Sequence, residues 1–158
     1  MFLGASVDTD VDGVSSAAAN GDDLAGSDDE DGLNPLDLNQ IAGSNAVLRF
    51  QATNLLGSTA NLCGYIDWNG DGDFADANES TTTTVAGGSN NVTATLNFGA
   101  TPLTAVGTRY GRFRYTTSAC AGGSGFCGNG EVEDNVIAVG DRRDICDSPA
   151  SYGTLLAN

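Results

Sequence analysis

Between positions 67 and 79 the chain reads DWNGDGDFADANE, in which Asp67, Asn69 and Asp71 occupy alternate positions ahead of Gly72. Alternation turns every second side chain to one side and the glycine permits a sharp bend, so oxygen ligands converge within one turn. That is hard-cation chemistry: calcium takes roughly six to eight oxygens from carboxylates, amides and main-chain carbonyls. Asp73 follows where a main-chain carbonyl usually serves, and Asp76 or Glu79 offers a closing carboxylate. Glu79 comes one residue late for an EF-hand loop, whose last position is held here by Asn78, and no flanking helix is expected. The stretch therefore reads as a calcium loop on a β-hairpin. Trp68 and Phe74 have the opposite parity and are expected to anchor the loop by packing.

Two further acidic clusters lie upstream. Asp8, Asp10 and Asp12 precede Gly13 with the same alternate spacing, and GDDLAGSDDEDG carries Asp22, Asp23, Asp28, Asp29, Glu30 and Asp31. Carboxylates this dense repel one another unless cations sit between them. Calcium-dependent ordering by more than one ion is expected, against the alternative of a solvated acidic linker. A fourth piece, GEVED at 130–134, places Glu131 and Glu133 on one strand face and Val132 and Asp134 on the other. All three acids are candidate ligands, lent by a strand edge to a neighbouring hairpin loop. Paired carboxylates also serve glycosidases, but the sequence shows no sign of a substrate cleft, and no enzymatic activity is expected.

The whole composition agrees with cation chemistry. The 158 residues carry 21 acids against six basic residues, a formal charge of −15, with no histidine. All six basic residues are arginines. Such a charge repels nucleic-acid phosphates and anionic membrane surfaces. Without histidine the usual catalytic triads and most zinc sites are gone, and without lysine so is Schiff-base chemistry. Of four cysteines, none forms a CxxC pair. A four-thiolate zinc site would need very uneven spacing, so disulfides are expected, and with them an extracellular location. The spacing suggests Cys120–Cys127 as a small clasp and Cys63–Cys146 closing a long loop, one of three possible pairings.

The elements that must position these groups are strands. Twenty-two glycines and abundant Thr, Ser and Asn favour short strands joined by turns. Period-two alternation begins at NAVLRFQAT and continues at 62–67, 82–85, 92–98, 109–116 and 131–139. The expected fold is an all-β, antiparallel β-sandwich of about seven strands with long acidic calcium-binding loops and little or no helix. Residues 1–43 read as an acidic segment ordered by metal or by packing on the sandwich, 44–140 as the sandwich, and 141–158 as a tail that docks on a next unit. Arg112 and Arg114 share a face, expected to meet solvent and neighbouring acids. No apolar run reaches the roughly 18 residues of a membrane span. The first ten residues lack the basic and apolar regions of a signal peptide, so the chain reads as a mature or excised portion of something longer. Sequons at Asn78 and Asn91 fall on expected turns.

YIDWNGDGDFADANE, followed downstream by GNGEVEDN, resembles the GEVED domain of secreted bacterial proteins, and the upstream LGASVDTDVDG and ANGDDLAGSDDEDGL are similar to the acidic segment that commonly precedes it in surface and adhesin-like proteins. The resemblance implies a β-sandwich module of large extracellular proteins, often repeated or appended to hydrolases, with no catalysis of its own. In such proteins a segment like D-x-P-x-SYGT usually comes before the acidic segment, whereas here DSPASYGTLLAN is at 147–158. That order suggests a tandem array cut mid-unit, or a polymer whose tails dock on neighbouring copies. The expected function is thus a non-enzymatic, calcium-stabilised structural module of a cell-surface polymer, filament or adhesin. The alternative is a carbohydrate-binding accessory module that stacks glycans on Tyr65, Trp68, Tyr110 and Tyr115.

Overall fold

A computed structural model describes residues 1–5, 30–123 and 129–142. Eight strands form two sheets: β1 (Phe2–Leu3), β2 (Asn39–Ile41), β3 (Asn45–Asn54), β4 (Ala60–Asp67), β5 (Ser80–Val85), β6 (Ser89–Ala100), β7 (Gly107–Thr116) and β8 (Glu131–Gly140). One sheet has the order β1-β3-β6 and the other β2-β8-β7-β4-β5. A short 3-10 turn, Pro35–Leu38, is the one helical element among the described residues. It starts on Asn34, whose side chain accepts from the Leu36 amide, with proline where no amide is needed.

The period-two pattern becomes a two-layer core. Leu48, Phe50, Leu96 and Phe98 from the small sheet meet Leu62, Ile66, Phe113, Tyr115 and Ile137 from the large one, all buried. The Phe50 and Phe113 rings lie 4.7 Å apart across the layers, and Trp68 meets Phe98 edge-on at 6.1 Å. Gly64 makes this approach possible: a Cβ there would stand 2.5 Å from Leu96 and 2.8 Å from Phe98. Trp68 and Phe74 pack as their parity suggested, Trp68 in the core and Phe74 against Tyr65 at 5.7 Å.

Three features depart from the sequence expectations. β1 and β2 arise within the acidic 1–43 stretch, where no strand was expected, because each is too short to show a period and is held by its partner. β1 pairs antiparallel with β3 at Ala52 and Thr53, whereas β2 pairs parallel with β8, so the sandwich is not antiparallel throughout. Arg112 and Arg114 do not meet solvent. They are 2% and 6% exposed, because the chain at 117–123 folds back over that face of the large sheet. The cysteine pairing differs as well. Cys63 on β4 bonds Cys120 just beyond β7, with the Cα atoms 5.8 Å apart. β4 and β7 are hydrogen-bonded neighbours, so the end of β7 returns past Cys63 directly. This pairing excludes both Cys120–Cys127 and Cys63–Cys146; Cys127 and Cys146 themselves lie outside the described residues.

Candidate metal loop and carboxylate clamp

The acidic loop at 67–79 joins β4 to β5, so its two ends are held by a paired ladder from Tyr65–Ser80 to Ala60–Val85. Its first carboxylate organises the turn. Asp67 accepts from the amides of Gly70 (2.6 Å), Asp71 (3.2 Å) and Gly72 (2.9 Å). Gly70 and Gly72 sit at φ 80° and 91°, a conformation glycine takes without strain. The Asn69 amide nitrogen donates to both Asp71 (2.9 Å) and Asp76 (2.5 Å), drawing those two carboxylates to one exposed point. Asp73 accepts from Ala75 at 2.8 Å and faces solvent.

Glu79 does something the sequence did not signal. It is 1% exposed and its two oxygens accept from the Trp68 amide (3.0 Å) and the Asp76 amide (3.2 Å). Burial pushes its pKa up, and the backbone amides pull partly against that. Trp68 Nε1 donates to the Asn78 carbonyl at 2.8 Å, and the Arg109 guanidinium takes the Trp68 carbonyl at 2.7 Å. Glu79 and Trp68 thus hold the loop shut from beneath, while Asp67, Asn69, Asp71 and Asp76 populate its exposed side. The donor set is all oxygen, from carboxylates and one side-chain amide, which suits a hard cation rather than zinc or copper. In this arrangement the carboxylates turn to backbone amides, and among the described residues no three acids or cysteines converge as a metal cluster.

The GEVED glutamates are elsewhere. Asp67 is level with Tyr110 and Val136, whereas Glu131 is level with Tyr115 and Leu62. The separation along the strands is about 16 Å for Glu131 and about 10 Å for Glu133, at roughly 3.3 Å per residue, and both glutamates face the other way from Asp67, into the sandwich. Glu131 and Glu133 therefore do not lend carboxylates to the 67–79 loop. They share the parity of Ile137 and Val139 and point into the sandwich, 6% and 0% exposed. There they fasten the N-terminal segment: Glu131 accepts from the Leu3 amide, and Glu133 accepts from the Gly32 amide at 3.0 Å. Asp31 accepts from the Ala5 amide at 3.0 Å. Gly4 and Asn34 in turn donate to the Gln51 and Arg49 carbonyls of β3, and Gln51 donates to the Gly32 carbonyl. The motif is a clamp that draws residues 2–4 and 32–34 onto one sheet from a strand of the other. Next to it, Tyr115 is fully buried, and desolvation with the nearby Glu131 charge pushes its hydroxyl pKa up to about 12.

Asp134, on the opposite face, is paired with Arg112 through contacts of 2.7 and 2.6 Å. That face is sealed by the chain after β7. Arg114 donates to the Gly122 carbonyl at 2.6 Å, the Gly122 amide donates to Tyr65 Oη at 3.2 Å, and Gly123 lies against the Phe74 ring. Of the four aromatics considered for glycan stacking, Tyr65, Trp68 and Tyr115 are buried, and Tyr110 is 37% exposed. They form no stacking surface. Asp8, Asp10, Asp12, Asp22, Asp23, Asp28 and Asp29 lie outside the described residues, as does the tail from 143.

No match was found among curated proteins. The family model of the GEVED domain matches residues 61–137, from the second residue of β4 to Ile137 within β8, and so takes in the acidic loop and the two glutamates of the clamp. Residues 61–137 of the chain are thus a GEVED domain.

Proposed function

We propose that this chain is a non-enzymatic, calcium-stabilised structural module of an extracellular surface, working as a unit of a polymer, filament or tandem array. One observation carries the calcium part: among the described residues no acid of the 67–79 loop has an ion-pair partner, and the cation beside it, Arg109, is bonded to the Trp68 carbonyl. Among the described residues Arg49 pairs with Asp37 and Arg112 with Asp134, while Arg109 and Arg114 donate hydrogen bonds to main-chain carbonyls. No described arginine pairs with an acid of the 67–79 loop. One guanidinium beside five acids leaves a negative excess for a cation from solution to neutralise, and the oxygen donors on a scaffold fixed by β4 and β5 favour calcium. Asp67, Asn69, Asp71 and Asp76 are the side chains that would hold it, with the Asp73 carbonyl beside them; the ion would supply charge neutralisation and stiffening. The disulfide supports an oxidising, extracellular setting.

Calorimetry of calcium binding to the wild type and to Asp67→Asn with Asp71→Asn tests the loop. Binding in the wild type and its loss in the variant are expected; equal binding by both would remove the loop from the account. Assembly is tested by electron microscopy of the whole chain beside a chain ending at 142. Filaments that persist after the deletion would exclude docking through the tail.

A further inference from the structure

From Ser80 to Thr108 the sequence contains no charged residue, in a chain whose net charge is −15. The structure gathers 80–100 of it on one side of the sandwich, and the remainder leads into β7 in the middle of the large sheet. β5 is the last strand of the large sheet and β6 the last of the small one. The turn at 86–88 joins them, so both terminal edges run along the same side. β6 is twelve residues long, and among the described residues neither strand pairs beyond its outer edge. Asn78 covers one end of β6 by donating to the Ala100 carbonyl at 3.2 Å, and among the described residues no strand pairs with the outer backbone at 92–98.

Exposed sheet edges are normally blunted by charges, proline or a covering segment, because a bare row of amides and carbonyls pairs with other strands. This edge has neither charge nor proline: β5 reads STTTTV and β6 reads SNNVTATLNFGA. With 21 acids against six basic residues, contact through acidic surface brings like charge together. Of the described arginines, Arg49, Arg109, Arg112 and Arg114 are engaged within the chain, and Arg142 follows β8, three strands away from β5 in the large sheet. The uncharged side is the surface on which self-repulsion is least and backbone pairing is available.

We propose that the β5/β6 side is a self-association surface, on which a second copy of this chain docks by edge-to-edge strand pairing. The inference rests on the assembly reading above and gives it an interface that needs neither the tail nor a bound ion. Such pairing has a salt signature. Adding sodium chloride screens the remote like-charge repulsion, so association should strengthen, the reverse of an interface held by ion pairs.

Sedimentation velocity on the whole chain tests it, with Thr84→Lys/Thr93→Lys and Thr84→Glu/Thr93→Glu compared with wild type. Both threonines are exposed, and circular dichroism with a melt checks that the variants fold; either single substitution serves where a pair does not. A charge of either sign on the edge must be desolvated on pairing, so both pairs should weaken association at least tenfold. Loss in the glutamate pair alone would mark general repulsion and overturn the edge. Unchanged association in both would overturn the edge while leaving assembly standing. A wild type that stays monomeric at every concentration would overturn both.

Discussion

Single residues in this protein are most informative where a carboxylate meets backbone. Glu133 is fully buried and accepts from the Gly32 amide, so Glu133→Ala removes an acceptor and leaves that amide unmet inside the fold. A loss of about 1–3 kcal/mol in urea-unfolding free energy is expected, and an unchanged midpoint would deny the clamp its role. Asp37 gives a pH signature. Its bonds to Arg49 hold its pKa below the usual 3.8, so it binds protons less readily folded than unfolded. Its stabilising contribution is therefore present above pH 3.8 and is lost as pH falls through the lower folded value. Asp37→Asn should flatten the acid limb of the stability profile; a limb as steep as the wild type's would assign acid sensitivity to other carboxylates.

At the scale of elements, the short pieces depend on what they are pinned to. β1 contributes one fully buried leucine, Leu3, between β3 and the Glu131 carboxylate. Leu3→Ala should cost about 2–5 kcal/mol, far more than an exposed terminal residue could, and a neutral result would detach β1 from the core. The Cys63–Cys120 bond spans 57 residues. In the chain-entropy view a loop of that length is worth roughly 4 kcal/mol. Cys63→Ser with Cys120→Ser is expected to approach that loss and to uncover the Arg112–Asp134 pair. The six longer strands were legible because each repeats its alternation several times. β1 and β2 were not, since two or three residues carry no period and their stability resides in a distant partner. The inward aim of Glu131 and Glu133 was present in the sequence as shared parity with Asn135, Ile137 and Val139. What hid it was that carboxylates rarely enter a core unless amides meet them, and those amides come from about 100 residues or more away in the chain. The cysteine pairing was hidden for the same reason: it follows from β4 lying beside β7, not from spacing.

On the scale of the whole molecule, charge is distributed rather than merely excessive. Acids occupy the 67–79 loop and the upstream segment, Arg49, Arg109, Arg112 and Arg114 are committed to internal partners, and 80–108 is uncharged. That division separates the two roles assigned here, cation binding on the acidic loops and self-association on the bare edge. It also orders the tests, because the edge should pair copies with or without calcium, whereas the melting temperature should answer to calcium alone. The most direct measurement is the thermal unfolding midpoint of the whole chain in excess calcium and in EGTA, at fixed ionic strength and protein concentration. An ion bound only by the native state at a hundred times its Kd adds about 2.7 kcal/mol of stability, which for a domain of this size raises the midpoint by roughly 5–10 °C. That rise, absent with magnesium at the same concentration, is the predicted result. Coincident midpoints in calcium and EGTA would contradict the account.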